Sequence, residues 1–74
     1  RAVPLRRIAK DAPRVALVPC AGAPLVLDRE QLEDEMRYVL VANRKNELKL
    51  VDRGPDGRGF ERVIKRIVAV ERQR

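Results

Sequence analysis

Seventy-four residues with one cysteine, no histidine and a net charge of +6 leave room for one small aliphatic core in a single domain. A lone thiol forms no intramolecular disulfide, and zinc sites of the Cys/His type are excluded. Serine, threonine, histidine and tryptophan are all absent, which removes Ser/His and Cys/His dyads and any histidine base, so neither an enzyme nor a metal or cofactor is expected.

The opening segment, "RAVPLRRIAKDAP", predicts a short helix or a mobile basic arm. In the helix, Pro4 occupies the first turn, where its missing N–H costs nothing. Leu5, Ile8 and Ala9 then share one face, Arg6, Arg7 and Lys10 the other, and Pro13 ends it. "RVALVPC" predicts a strand over Val15–Val18, stopped by Pro19. Cys20 reads as a small apolar residue, buried or half-buried. "LVLD" predicts a second short strand that pairs back on the first as a hairpin.

A capping-box pattern follows, with Asp28 accepting from the N–H three residues on and Gln31 reaching back. Leu32, Met36, Val39 and Leu40 fall at i, i+4, i+7 and i+8, which predicts a helix over Asp28–Asn43 with those residues inward. Arg44 and Lys45 close it with the charge that suits its dipole. A rival reading breaks the helix near Arg37 and makes "YVLVA" a strand that turns through "NRKN" into "ELKLV". "ELKLVDRG" alternates over Leu48, Lys49 and Leu50 as a half-buried strand.

"GPDGRG" is turn chemistry. It lacks the Lys-Ser/Thr pair of a phosphate-cradling loop, Gly54, Gly57 and Gly59 are wrongly spaced for a dinucleotide fingerprint, and Pro55 removes an N–H. In "FERVIKRIVAVERQR" the Val and Ile content favours a strand, but the period favours a helix with Phe60, Val63, Ile64, Ile67 and Val68 on one stripe. The expected fold is therefore α+β over residues 1–74, a short sheet packed with two helices in the order β-β-α-β-α. The alternative, with the last segment extended, is a β-rich small barrel with one helix.

Charge is segregated along the chain. Arg1–Arg14 carries five cations and one carboxylate, Phe60–Arg74 five and two, whereas Asp28–Met36 carries one and five. Well-mixed signs would serve solubility alone; segregation suggests separate surfaces for separate partners. The first expectation is a basic module binding duplex DNA or structured RNA through its backbone, regulatory in transcription or translation. Arg6, Arg7, Arg58, Arg62, Lys65 and Arg66 would form its contact surface, because guanidinium forks match phosphate oxygens. With Phe60 turned into the core, no base-stacking platform is expected. The second is a small regulator or assembly subunit whose acidic residues Glu30, Glu33 and Asp34 dock on a protein of a nucleoprotein machine such as RNA polymerase or the ribosome. The same carboxylates could hold a metal, but read better as a solvated helix face. Homodimerisation stays open. No apolar run approaches the roughly 18 residues of a membrane span, and no signal-peptide pattern opens the chain, so a cytoplasmic, intracellular protein is expected.

Overall fold

The computed structural model describes residues 2–74. Its first elements are strand β1 (Ala2–Pro4) and helix α1 (Leu5–Ala9). Pro4 caps the helix in an extended conformation, as its fixed φ and missing N–H allow. Leu5 and Ala9 are buried, Ile8 is half-buried, and Arg6, Arg7 and Lys10 face outward. Strands β2 (Arg14–Pro19) and β3 (Leu25–Asp28) form the expected antiparallel hairpin, pairing Val15 with Leu27 and Leu17 with Leu25. Cys20, just past β2, is exposed rather than buried.

The capping box forms: the Gln31 N–H donates to Asp28 Oδ1 at 3.0 Å, and the Asp28 N–H donates to Gln31 Oε1 at 3.0 Å. The helix it starts, α2, runs only from Arg29 to Leu32, not to Asn43. Asp34 ends any continuation, because its carboxylate accepts the Met36 N–H and its carbonyl accepts the Arg37 N–H. Beyond it Tyr38–Ala42 is strand β4, hairpinned with β5 (Leu48–Asp52). The physical reason lies in "YVLVA", five apolar residues in a row. A helix there has no polar face to show water, whereas a central strand is covered on both sides. Val39 and Leu40 are both buried although they point to opposite faces. Met36 is 60% exposed, while Leu32 and Leu40 are buried as expected.

The last segment is one strand, β6 (Glu61–Gln73). Its pairing with β5 slips twice and its pairing with β2 slips once, so it carries extra residues near Val63, Lys65–Arg66 and Val68. Arg66 takes a positive φ of 54° at one of these bulges. Each extra residue stretches the inward repeat from two to three. Ile64, Ile67 and Val70 therefore point inward opposite Leu50, Leu48 and Leu17, and this spacing of three imitates a helical stripe.

All pairings are antiparallel, in the order β1-β4-β5-β6-β2-β3. Ile67 is the pivot, since it pairs with Leu48 on one side and Pro19 on the other. Strand takes 49% of the chain and helix 12%, so the protein is a mostly-β open sheet rather than an α+β fold with two helices packed on a short sheet. The main hydrophobic cluster lies on one side of that sheet, and Ala16, Val39 and Val51 are buried outside it. Leu17, Leu40, Leu50 and Ile67 line the cluster, and Leu5 and Ala9 of α1 and Leu32 of α2 complete it. No helix among the described residues is long and apolar enough to cross a membrane.

One ion pair holds the open end of the β4–β5 hairpin. Arg37 reaches Asp52 through Nε at 3.1 Å and a second nitrogen at 3.4 Å, and the Gly54 N–H donates to the same carboxylate at 2.7 Å. The hydrogen bond from Arg37, then that from Gly54, hold the Asp52 carboxyl below its ordinary value. A depressed folded-state pKa contributes stability above the unfolded value of about 3.9 and loses it as pH falls through the folded value. Denaturant midpoints measured from neutral pH down to pH about 2 should therefore show Asp52→Asn less stable than wild type near neutrality. The gap should close below pH about 4; a constant gap would remove the carboxylate from the explanation.

Candidate nucleic-acid interface

The "GPDGRG" segment joins β5 to β6 and is a turn. The Gly57 N–H donates to the Gly54 carbonyl at 3.2 Å, and the Arg58 N–H to Asp56 Oδ1 at 3.0 Å. The Gly59 N–H donates to the Arg53 carbonyl at 2.7 Å, and a Cβ at Gly59 would come within 3.0 Å of that oxygen. Four N–H groups of Gly54–Gly59 thus bond within the protein, and Pro55 has none. No converging set of amides is left to cradle a phosphate.

The basic side chains that follow the turn do gather. Arg62, Lys65 and Arg66 line one groove with Lys49, Asn43 and Glu47. They reach it from a strand, not a helix. Lys49 alternates away from its core neighbours Leu48 and Leu50, and Arg62 stands opposite Val51 on that same outer face. The Lys65–Arg66 bulge then turns two more cations to the same rim. Arg66 meets Glu47 at 3.4 Å with the Arg66 side chain largely in water and that of Glu47 partly exposed, which is worth at most about 1 kcal/mol. Four cations against one carboxylate leave the groove strongly positive.

Arg58 is exposed in the turn, four residues before Arg62. Arg6 and Arg7 lie elsewhere. The Arg6 guanidinium donates to the Glu33 carbonyl at 2.8 Å, and Arg7 meets Glu35 at 3.3 Å. The basic face of α1 thus sits against the acidic turn that holds Glu33 and Asp34, with Glu30 exposed on α2 just before it. Charges segregated along the chain are partly neutralised in space. Among the described residues no group of three acidic, cysteine or histidine side chains is placed to hold a metal ion.

Two members of the basic face are not evident from the residue pattern read as a helix. Lys49 carried a signal, as the one polar position in "LKL" of a half-buried strand. Phe60 carried a misleading one. Placed on a helical stripe it would be core, but it is 64% exposed, with the Lys49 ammonium 5.0 Å from its ring centroid.

No protein-family model, curated protein or solved structure matches the chain. The fold and groove define a class only, a small open antiparallel sheet with a basic outer face.

Proposed function

We propose that the protein is a non-enzymatic nucleic-acid-binding module whose phosphate contacts are made by Lys49, Arg62, Lys65 and Arg66. The observation that carries this reading is their convergence on one groove of the β5–β6 face, with Glu47 the only carboxylate lining it among the described residues. Arg62, Lys65 and Arg66 are exposed, and their number exceeds what local ion pairing uses. Cations held at that density on one face release counterions from a polyanion, so the affinity is electrostatic and steeply salt-dependent. Arg58 extends the face past the turn.

Labelled DNA and RNA oligonucleotides titrated at two salt concentrations test it. With four phosphate contacts, raising monovalent salt fourfold should weaken binding roughly 50- to 150-fold. Binding that ignores salt, or no binding to either polymer at the lower salt, sinks the proposal.

A further inference from the structure

We infer that the ligand of the basic face is single-stranded, with one unpaired base stacked on the ring of Phe60. This inference rests on the nucleic-acid reading above and adds the strand state to it. Apolar side chains scattered singly on a surface carry no message. Phe60 is different because of what surrounds it. Phe60 is 64% exposed just before β6, two residues after Arg58 and two before Arg62. Lys49 and Phe60 flank the Val51–Arg62 pair along the two strands, and the Lys49 ammonium meets the ring at 5.0 Å.

The core makes no use of this ring; Ile64, Ile67 and Val70 supply the inward positions of β6. What remains is an exposed aromatic side chain within a row of cations, with the Lys49 ammonium over its ring. A nucleotide matches that pattern, since its base offers a flat apolar face and its phosphate an anion. The bases of a duplex keep their faces inside the helical stack, so only an unpaired base can reach a flat ring, and aromatic platforms with flanking cations serve single strands in this way. Arg58 and Arg62 then lie on either side of the stacked nucleotide to take the phosphates before and after it, and Lys49 takes its own.

Because the chain has no tryptophan, Phe60→Trp places a single reporter at the site. The probes are a short oligothymidylate and the same strand with abasic sites, equal in charge and lacking bases. The indole emission of this variant should be quenched by the oligothymidylate and left unchanged by the abasic strand. Phe60→Leu, which keeps apolar bulk, should weaken oligothymidylate binding by about 5- to 150-fold, the loss typical of one stacking aromatic. Its binding of the abasic strand should not change. Equal binding of both strands by wild type, or a Phe60→Leu variant that loses nothing, overturns the stacking inference while leaving the charged groove intact. Failure of wild type to bind either strand at low salt, where it does bind duplex DNA or RNA, overturns the single-strand inference, and failure to bind any of these overturns the nucleic-acid reading itself. Circular dichroism of each variant separates loss of fold from loss of contact.

Discussion

Leu50→Ala is expected to destabilise the protein by about 2–5 kcal/mol, the range for truncating a fully buried leucine. Leu50 has no exposed surface, and it stands mid-sheet between Leu40 on β4 and Ile64 on β6. Strands on both sides hold the backbone in register, so the cavity collapses poorly and the upper part of the range applies. A chain of this size has a total stability of roughly 4–11 kcal/mol. The variant should therefore lose about 10–40 °C in its thermal midpoint, and at the upper end it will not fold. Met36→Ala is the matched control. A helix over Asp28–Asn43 would bury Met36 and Leu40 together, but Met36 is 60% exposed, so its truncation should fall within about 0.5 kcal/mol of wild type. Equal losses at Met36 and Leu50 in urea titrations would refute the sheet as described.

The second large effect concerns binding. Arg62→Gln with Lys65→Gln removes two groove cations that carry no ion pair among the described residues, so neither substitution strands a carboxylate, whereas replacing Arg66 would release Glu47. Both positions are exposed on β6, and stability should hardly move. Each phosphate contact contributes about 0.7 to the slope of log affinity against log salt for a single strand and about 0.9 for duplex DNA. The double variant should thus lose about 1.4–1.8 in slope, and roughly 25- to 60-fold in affinity near 0.1 M salt. Arg6→Gln with Arg7→Gln removes the same charge from α1, where both side chains meet the acidic turn. That pair should leave the slope within about 0.3 of wild type if the groove alone meets phosphate. Slopes reduced equally by both double variants would move the interface off the β5–β6 face.

Local signals were legible wherever the deciding interaction is itself local. The Asp28–Gln31 capping box forms between residues three apart, and Pro4 sets the start of α1 through its own ring. Turn chemistry at Gly54–Gly59 is likewise settled by bonds within the loop and its two flanking residues. The β2–β3 hairpin followed from apolar runs separated by a short connection. Leu32 and Leu40 are core in either state, since a helix over Asp28–Asn43 would bury them as the sheet does. The basic groove was half visible. Arg62, Lys65 and Arg66 belong to one contact surface by residue type alone, and the bulged strand brings them to one groove with Lys49 from the adjoining strand.

The amino-acid sequence by itself determined the small aliphatic core, the absence of histidine, serine and threonine side chains, and the points where the chain turns. Only the tertiary structure decided whether Tyr38–Ala42 and Glu61–Gln73 are helix or strand. Propensity and period disagreed there, and β4 is held between β1, remote in sequence, on one side and its hairpin partner β5 on the other. For β6 the ambiguity is deeper. Its bulges near Val63 and Lys65–Arg66 lie in the pairing with β5 and the one near Val68 in the pairing with β2, and they space Ile64, Ile67 and Val70 three apart. Three is near enough to the helical 3.6 for the two states to look alike in a pattern of apolar residues. The exposure of Phe60 follows from the same pairing, since a strand entering opposite Asp52 carries that ring past the core, where a helix would have turned it inward.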